Sequence, residues 1–279
     1  MKINSETVFL SNVTDAHSHL WSDEFSSDRT QTLQRASDAG LVCIVDISYD
    51  VDAKLRKKEA KALEIDLVCV AGVHPHDAKD FRQLEKTLSS QLSGGSYSAI
   101  GEIGLDYYRN LSPANQQVSV FQDQLELAIE YDLPVVIHSR NADHDTYNIL
   151  KDWAHRVPRN HGPNREIGMI HCFSSDSELA QKYIELGFLI SISGIATFPN
   201  VKETPEVIQR INTNKLLVET DAPYLTPVPH RGKRNEPALV VDTIKFISAL
   251  KQVPSQKIAD STTQNAYRLF RLDDFTGDL

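Results

Sequence analysis

Residues 99–138 read AIGEIGLDYYRNLSPANQQVSVFQDQLELAIEYDLPVVIH, and three segments of different period succeed one another in that stretch. Residues 99–103 and 134–138 are short apolar runs rich in Ile and Val, the composition of strands covered on both faces. Residues 115–131 lie between them and bring Phe121, Leu125, Ala128 and Ile129 round at helical spacing, with Gln and Glu on the other face. Strand, amphipathic helix and strand make one βαβ unit, the building block of a parallel sheet. Outward from it, equivalent runs occupy residues 13–17, 42–47 and 67–73 on one side and 167–171, 188–193 and 216–221 on the other. Eight spaced units favour closure over an open doubly wound sheet. The predicted fold is therefore α/β, a single (β/α)8 TIM barrel with the active site at the C-terminal ends of its strands.

The chain of 279 residues is a little longer than the roughly 250 typical of such a barrel, and no linker or composition break divides it, so residues 1–279 are expected to form one domain. Residues 156–165 and 222–237 read as loops rich in Pro, Asn or Gly. Hydrophobic residues make up 41% and charged residues 24%, which excludes disorder and a fibrous architecture. A net charge of −9 excludes a generally basic, DNA-coating surface, so any contact with nucleic acid must be local. The first six residues carry no basic segment followed by an apolar run, and no run approaches 18 apolar residues, so neither export nor a membrane partner is expected. Cys43, Cys69 and Cys172 form an odd set without CxxC spacing and read as reduced core thiols of a cytoplasmic protein. The default oligomeric state is a monomer.

The strand ends carry the chemistry. The first ends in Asp15-Ala16-His17-Ser18-His19, the fourth in Gly101-Glu102, the fifth in His138-Ser139-Arg140, the sixth in His171-Cys172 and the eighth in Glu219-Thr220-Asp221. His17 and His19 share a side of their strand and can grip one ion. Glu102, His138, His171 and Asp221 would be costly to bury as unrelated core residues, and convergence on cations offsets that cost. Imidazole and carboxylate donors without thiolate suit Zn²⁺ or Mn²⁺, and Mg²⁺ where water completes the shell. A carboxylate can bridge two ions roughly 3.5 to 4 Å apart whereas an imidazole cannot. Glu102 is thus expected as the bridge, with His17, His19 and Asp221 on one divalent ion and His138 and His171 on the second.

The segments "DAHSHL", "GVHPH", "GEIGLDYYR", "VVIHSR", "HCFSS", "SISGIATF", "ETDAPYL" and "HRGKRNEP" occur in the order found in the TatD-family hydrolases, and with them the chain resembles that family from Asp15 to Phe270. The resemblance implies an amidohydrolase-like barrel, two divalent metal ions on the six residues above, and hydrolysis of DNA phosphodiesters, often as a 3′→5′ exonuclease on single strands. It also implies substrate contacts from His74, His76, Arg140 and the loop containing Arg231, Arg234 and Asn235. One departure is Ser175 in "HCFSS", where the family pattern usually has Gly; a glycine there would permit a positive φ.

Other positions carry weaker expectations. Asp106 and Tyr107 follow the fourth strand, and Tyr107 or Tyr108 is placed to stack on a base. Arg140 can fork onto a phosphate, and Arg231, Lys233 and Arg234 make a basic cluster at the barrel mouth. Glu219 has the parity of Asp221 and is expected to orient a ligand, while Cys172 is expected to pack as an inert thiol. His144, His155, His161 and His230 are read as surface residues. Glu102 and Asp221 are the expected catalytic residues, with Asp221 accepting the proton of the attacking water. Two rival functions share these features: a hydrolase of small phosphoesters, esters or amides on the same metals, and a non-catalytic nucleic-acid-binding protein.

Overall fold

The computed structural model describes residues 9–47, 52–158 and 165–272. Part of the expected loop at 156–165 and the surface reading of His161 lie outside those residues, as do the first six positions. Eight parallel strands follow one another in chain order: β1 (Val13–Ser18), β2 (Leu41–Ile47), β3 (Asp66–Ala71), β4 (Ala99–Asp106), β5 (Val135–Arg140), β6 (Gly168–Ile170), β7 (Phe188–Ile192) and β8 (Leu216–Val218). Asp221 N–H donates to His17 O at 2.9 Å and His19 N–H to Ala222 O at 2.8 Å, joining the chain after β8 to β1. The helices are α1 (Arg29–Asp38), α2 (Ala53–Lys61), α3 (Phe81–Ser93), α4 (Ala114–Glu130), α5 (Asp143–Ala154), α6 (Ser177–Leu186), α7 (Glu203–Arg210), α8 (Val240–Lys251) and α9 (Ser255–Phe270). The (β/α)8 barrel is the fold the sequence predicted, and the helix expected at 115–131 is displaced by one residue.

Alternation divides the strands between two cores. Val45, Val68, Val70, Val136, Met169, Leu189 and Leu217 meet one another inside the barrel, where Leu269 and Phe270 of α9 join them. Their neighbours Ile44, Leu67, Ile137, Ile170, Ile190 and Leu216 pack outward under the helices. Burial on both faces explains why these segments read as continuous apolar runs.

Three strands break the alternation, β2 with one extra residue between Leu41 and Cys43 opposite Val13 and Thr14. Between Asp15 and Ser18, β1 spends three steps where β2 spends two, and β4 does the same against β5 between Ile100 and Ile103. Each extra residue reverses the parity beyond it. Ala99 belongs to the barrel interior and Ile100 to the outer core, yet Ile103 and Leu105 are also outer residues. The bulge in β4 therefore turns Glu102 and Asp106 inward. Glycine makes the irregular path passable: a Cβ on Gly101 would stand 2.6 Å from the Cβ of Val136. Gly104 lies at φ 142°, and a Cβ there would collide with the carbonyl oxygen of His138.

The sixth and eighth strands are shorter than expected because the chain turns at their ends. Cys172 and Asp221 adopt left-handed backbone, with φ of 46° and 57°, so the ladder stops before the polar residues of both. No helix among the described residues is long and apolar enough to cross a membrane.

Gly104→Ala is expected to cost about 3 kcal/mol of stability, since it combines a disfavoured φ with a backbone collision. Chemical denaturation checks this, and an unchanged midpoint would show that β4 and β5 can separate without loss.

Candidate metal centre

The bulges and the left-handed turns bring four side chains from three strand ends to one point. His17 Nε2 lies 3.3 Å from His19 Nε2, 3.4 Å from Glu102 Oε2 and 3.7 Å from Asp221 Oδ1. His19 Nε2 lies 3.8 Å from Glu102 Oε2 and 3.5 Å from Asp221 Oδ1. Donor atoms roughly 2.1 Å from a common centre stand roughly 3.4 Å apart at tetrahedral corners. All five edges fall close to that value, so the donor set fits one divalent cation.

The other oxygen of Glu102 faces a second group. Glu102 Oε1 is 2.7 Å from His138 Nδ1, 3.5 Å from His171 Nε2 and 3.6 Å from His74 Nε2. One carboxylate thus turns an oxygen to each imidazole set, the arrangement a bridging ligand requires. His74 stands among donors of this second group, although the sequence suggested only a substrate contact for it. Its place at the end of the third strand was the available signal.

Crowded nitrogens and oxygens set the local electrostatics. Burial pushes the Glu102 carboxyl up, but the imidazoles around it, His171 and His74 foremost, hold it well below the usual range. Burial also raises Asp221, and the hydrogen bond from His19 with the charges of His171 and His17 more than reverses that. For His171 burial favours the neutral ring, yet Glu219 and Glu102 raise it to about 10.

Outer partners fix the imidazoles. Glu219 Oε1 lies 2.9 Å from His171 Nδ1 and accepts from Cys172 N–H at 2.6 Å, while Oε2 accepts from Ser191 Oγ at 2.6 Å. This is the orienting place expected for Glu219. Asp15 performs a similar task that the sequence reading missed: its carboxylate accepts from Thr220 N–H at 2.8 Å, Thr220 Oγ1 at 2.6 Å and His17 N–H at 3.3 Å. It clamps β1 to the chain after β8 directly beneath the donors.

Several expected substrate contacts occupy other positions. Asp106 is 1% exposed, and its Oδ2 lies 2.9 Å from His76 Nε2 and 3.3 Å from His138 Nε2. The β4 bulge turns it inward, where it holds two imidazoles and is closed to substrate. Asn235 is fully buried because its amide donates to Thr220 O at 2.9 Å and Tyr224 O at 2.6 Å, tying the loop after β8 to the strand end. Arg234 is committed to Asp28 through two bonds of 2.7 Å and to Glu24 O at 2.7 Å. Tyr107 packs against the core and donates to Asp145 Oδ2 at 2.9 Å. Tyr108 is the available ring, 60% exposed with the Arg140 guanidinium 4.1 Å from its centroid. Arg231 is exposed and stacks on Phe198 at 4.0 Å. His76 is partly open beside His74. Cys172 turns out to be half-buried near the metal-facing end, its Sγ 3.1 Å from Ser193 Oγ, because left-handed backbone removes it from strand parity. Ser175 is not among the residues with positive φ.

A closed α/β barrel whose strand ends gather imidazoles and carboxylates around cation-sized gaps defines the class of metal-dependent hydrolases. The model of the family described as TatD related DNase matches residues 14–271, and the chain belongs to that family. It is 38% identical over 261 residues to the uncharacterized metal-dependent hydrolase YabD of Bacillus subtilis, covering 93% of this chain and 99% of that one. It is 33% identical to the protein named 3′-5′ ssDNA/RNA exonuclease TatD of Rahnella, covering 91% and 96%. The crystal structure of YjjV, a TatD homologue from Escherichia coli, superposes with a TM-score of 0.79 at 28% identity, covering 93% and 98%.

In the metal-free protein the raised His171 is protonated at neutral pH. Its charged form contributes stability that is complete below its ordinary value of 6.5 and is lost as pH rises through about 10. Coordination through Nε2 must expel that proton, so titration with Zn²⁺ at pH 7 in buffers of different ionisation enthalpy should show at least one proton released. Glu219→Gln should reduce the release and weaken binding about 10- to 100-fold. Binding without proton release would exclude His171 from the donor set.

Proposed function

We propose that the chain is a two-metal phosphodiesterase acting on DNA, a 3′→5′ exodeoxyribonuclease on single strands, working in the cytoplasm as a single domain. The split carboxylate of Glu102, one oxygen toward each imidazole set, is the observation that carries this reading. His17, His19, Glu102 and Asp221 would hold one cation; Glu102, His138 and His171 would hold the other, with His74 in reach. Imidazole and carboxylate donors accommodate Zn²⁺, Mn²⁺ or Mg²⁺. Such cations, when bound, would supply positive charge to offset that of a phosphate and would lower the pKa of water there.

The chain's own groups supply the remaining steps. Asp221, held ionised beside His19, accepts the proton of the attacking water. The water oxygen bonds to phosphorus as the P–O3′ bond breaks; the departing 3′ oxygen takes a proton from solvent, and the terminal unit leaves as a 5′-mononucleotide. Glu219 and Asp106 keep the His171 and His138 rings aligned through the cycle. Arg231 and Arg140, braced on Phe198 and Tyr108, present guanidinium groups to the strand's phosphates, and Lys233 adds a further charge. Single strands are favoured because the exposed rings of Tyr108 and Tyr224, the latter 56% exposed, offer stacking faces that duplex bases cannot reach. The name of the Rahnella relative supports the polarity and the single-stranded substrate. Three free thiols, two of them buried, accord with a reducing compartment.

The test is cleavage of 5′- and 3′-labelled single-stranded oligonucleotides with Mg²⁺, Mn²⁺ or Zn²⁺. Shortening from the 3′ end is expected, abolished by chelation and lowered about 10²- to 10⁴-fold in Asp221→Asn. If metal-loaded protein leaves every oligonucleotide intact, the small-phosphoester alternative replaces this reading. Arg231→Ala should weaken binding and lower the slope of log affinity against log salt by about 1, with metal content retained. An unchanged slope would remove Arg231 from the phosphate path.

A further inference from the structure

A cavity of about 450 Å³ opens beside the donors, on the side of the ring formed by β1 to β4. Trp21, Asp23, Glu24, Ile47, Gly72 and His74 line it, and it reaches His19 and Glu102. We infer that this cavity receives the terminal nucleoside of the strand, admitting an uncharged 3′-hydroxyl end and rejecting a terminal phosphate. The inference rests on the phosphodiesterase reading above and specifies which end of the substrate the site accepts.

Size comes first. A volume near the lower end of the roughly 300 to 1,000 Å³ usual for small-molecule sites suits one nucleoside and excludes a continuing strand. The apolar part of the wall is firmly built. The Trp21 indole is mostly buried, with the guanidinium groups of Arg29 and Arg56 5.4 and 5.9 Å from its ring. Leu20 N–H donates to Asp46 Oδ1 at 2.9 Å, and Asp46 is paired in the core with Arg56. A flat, fixed apolar surface of this kind suits any of the bases and chooses none of them.

Charge decides the end. Beyond the donors themselves, the charged residues lining the cavity are Asp23 and Glu24, and no Lys or Arg lines it among the described residues. Both side chains are exposed and neither enters an ion pair there. The wall that bears them is anchored by the neighbouring loop after β8: Arg234 donates to Glu24 O at 2.7 Å, forks onto Asp28, and lies 4.5 Å from the Phe25 ring centroid. This explains why one arginine of the basic loop is turned away from substrate. Of the cations expected on the phosphate path, Arg140 ends β5 and Arg231 and Lys233 follow β8, all of them exposed and outside the cavity lining. The cavity lining therefore offers a terminal group two carboxylates and no guanidinium or ammonium, unlike the path proposed for the strand's phosphates. A 3′ terminus is a hydroxyl, whereas 5′ termini commonly carry a phosphate that two carboxylates would repel.

The experiment compares metal-loaded wild type with the Asp23→Asn/Glu24→Gln double variant on 5′-labelled oligonucleotides ending in a 3′-hydroxyl or a 3′-phosphate. Wild type should cleave the hydroxyl end on the order of tenfold faster, and the double variant should bring the two rates to within about threefold. Because each protein supplies its own ratio, a general loss of activity does not mimic the effect. Equal rates on both ends in wild type, or a ratio unmoved by the double substitution, overturns this inference and leaves the nuclease reading standing. Failure to cleave either end removes the nuclease reading and this inference with it.

Discussion

The Glu102 carboxylate stands between two imidazole sets, one oxygen toward each, and much of the upper barrel is arranged around that division. A buried carboxylate with five imidazoles at hand would be costly without positive charge close by, and protonated rings are the compensation its neighbours among the described residues offer. Cations are a better one, because they neutralise the carboxylates and let the rings act as neutral donors. The outer partners serve the same end: Glu219, Asp106 and Asp15 fix the rings or the strands that carry them, so the donors converge before any ion arrives.

The cost of this convergence falls on the backbone. Three strands gain an extra residue, two others end in left-handed turns, and Gly101 and Gly104 stand where no side chain fits. The rest of the barrel is regular and apolar, with alternating residues filling the interior and the helix-covered face. A stiff scaffold can hold strained strand ends, which accords with their gathering at the mouth beside the donors.

The mouth itself is uneven. Arg140 at the end of β5 stacks on Tyr108 after β4 and Arg231 after β8 on Phe198 after β7, while the loop after β1 brings Trp21, Asp23 and Glu24 beside the donors. The two sides are joined by Arg234 and Arg35, which reach Asp28 and Glu236 across the loops after β1 and β8. On a chain of net charge −9, Arg140, Arg231 and Lys233 place exposed cations at this mouth.

Much of this was legible in the amino-acid order. Continuous apolar runs separated by amphipathic stretches specified eight βα units, since both faces of each strand are buried and the helices keep one polar face. The strand-end residues His17, His19, Glu102, His138, His171 and Asp221 could be picked out because polar groups are conspicuous at the ends of apolar runs. The sequence could not show which way those side chains point. Simple alternation from Ala99 would have placed Glu102 on the outer face, and only the pairing of β4 with β5 reveals the extra residue that turns it inward. Nor could it show that Asp106, Asn235 and Arg234 are consumed by partners 11 to 206 positions away, because a side chain's availability depends on what the closed barrel brings against it. Local order fixes periodicity and composition; the direction of a side chain and its freedom to meet a substrate are decided by register and packing, which exist only once the chain has folded.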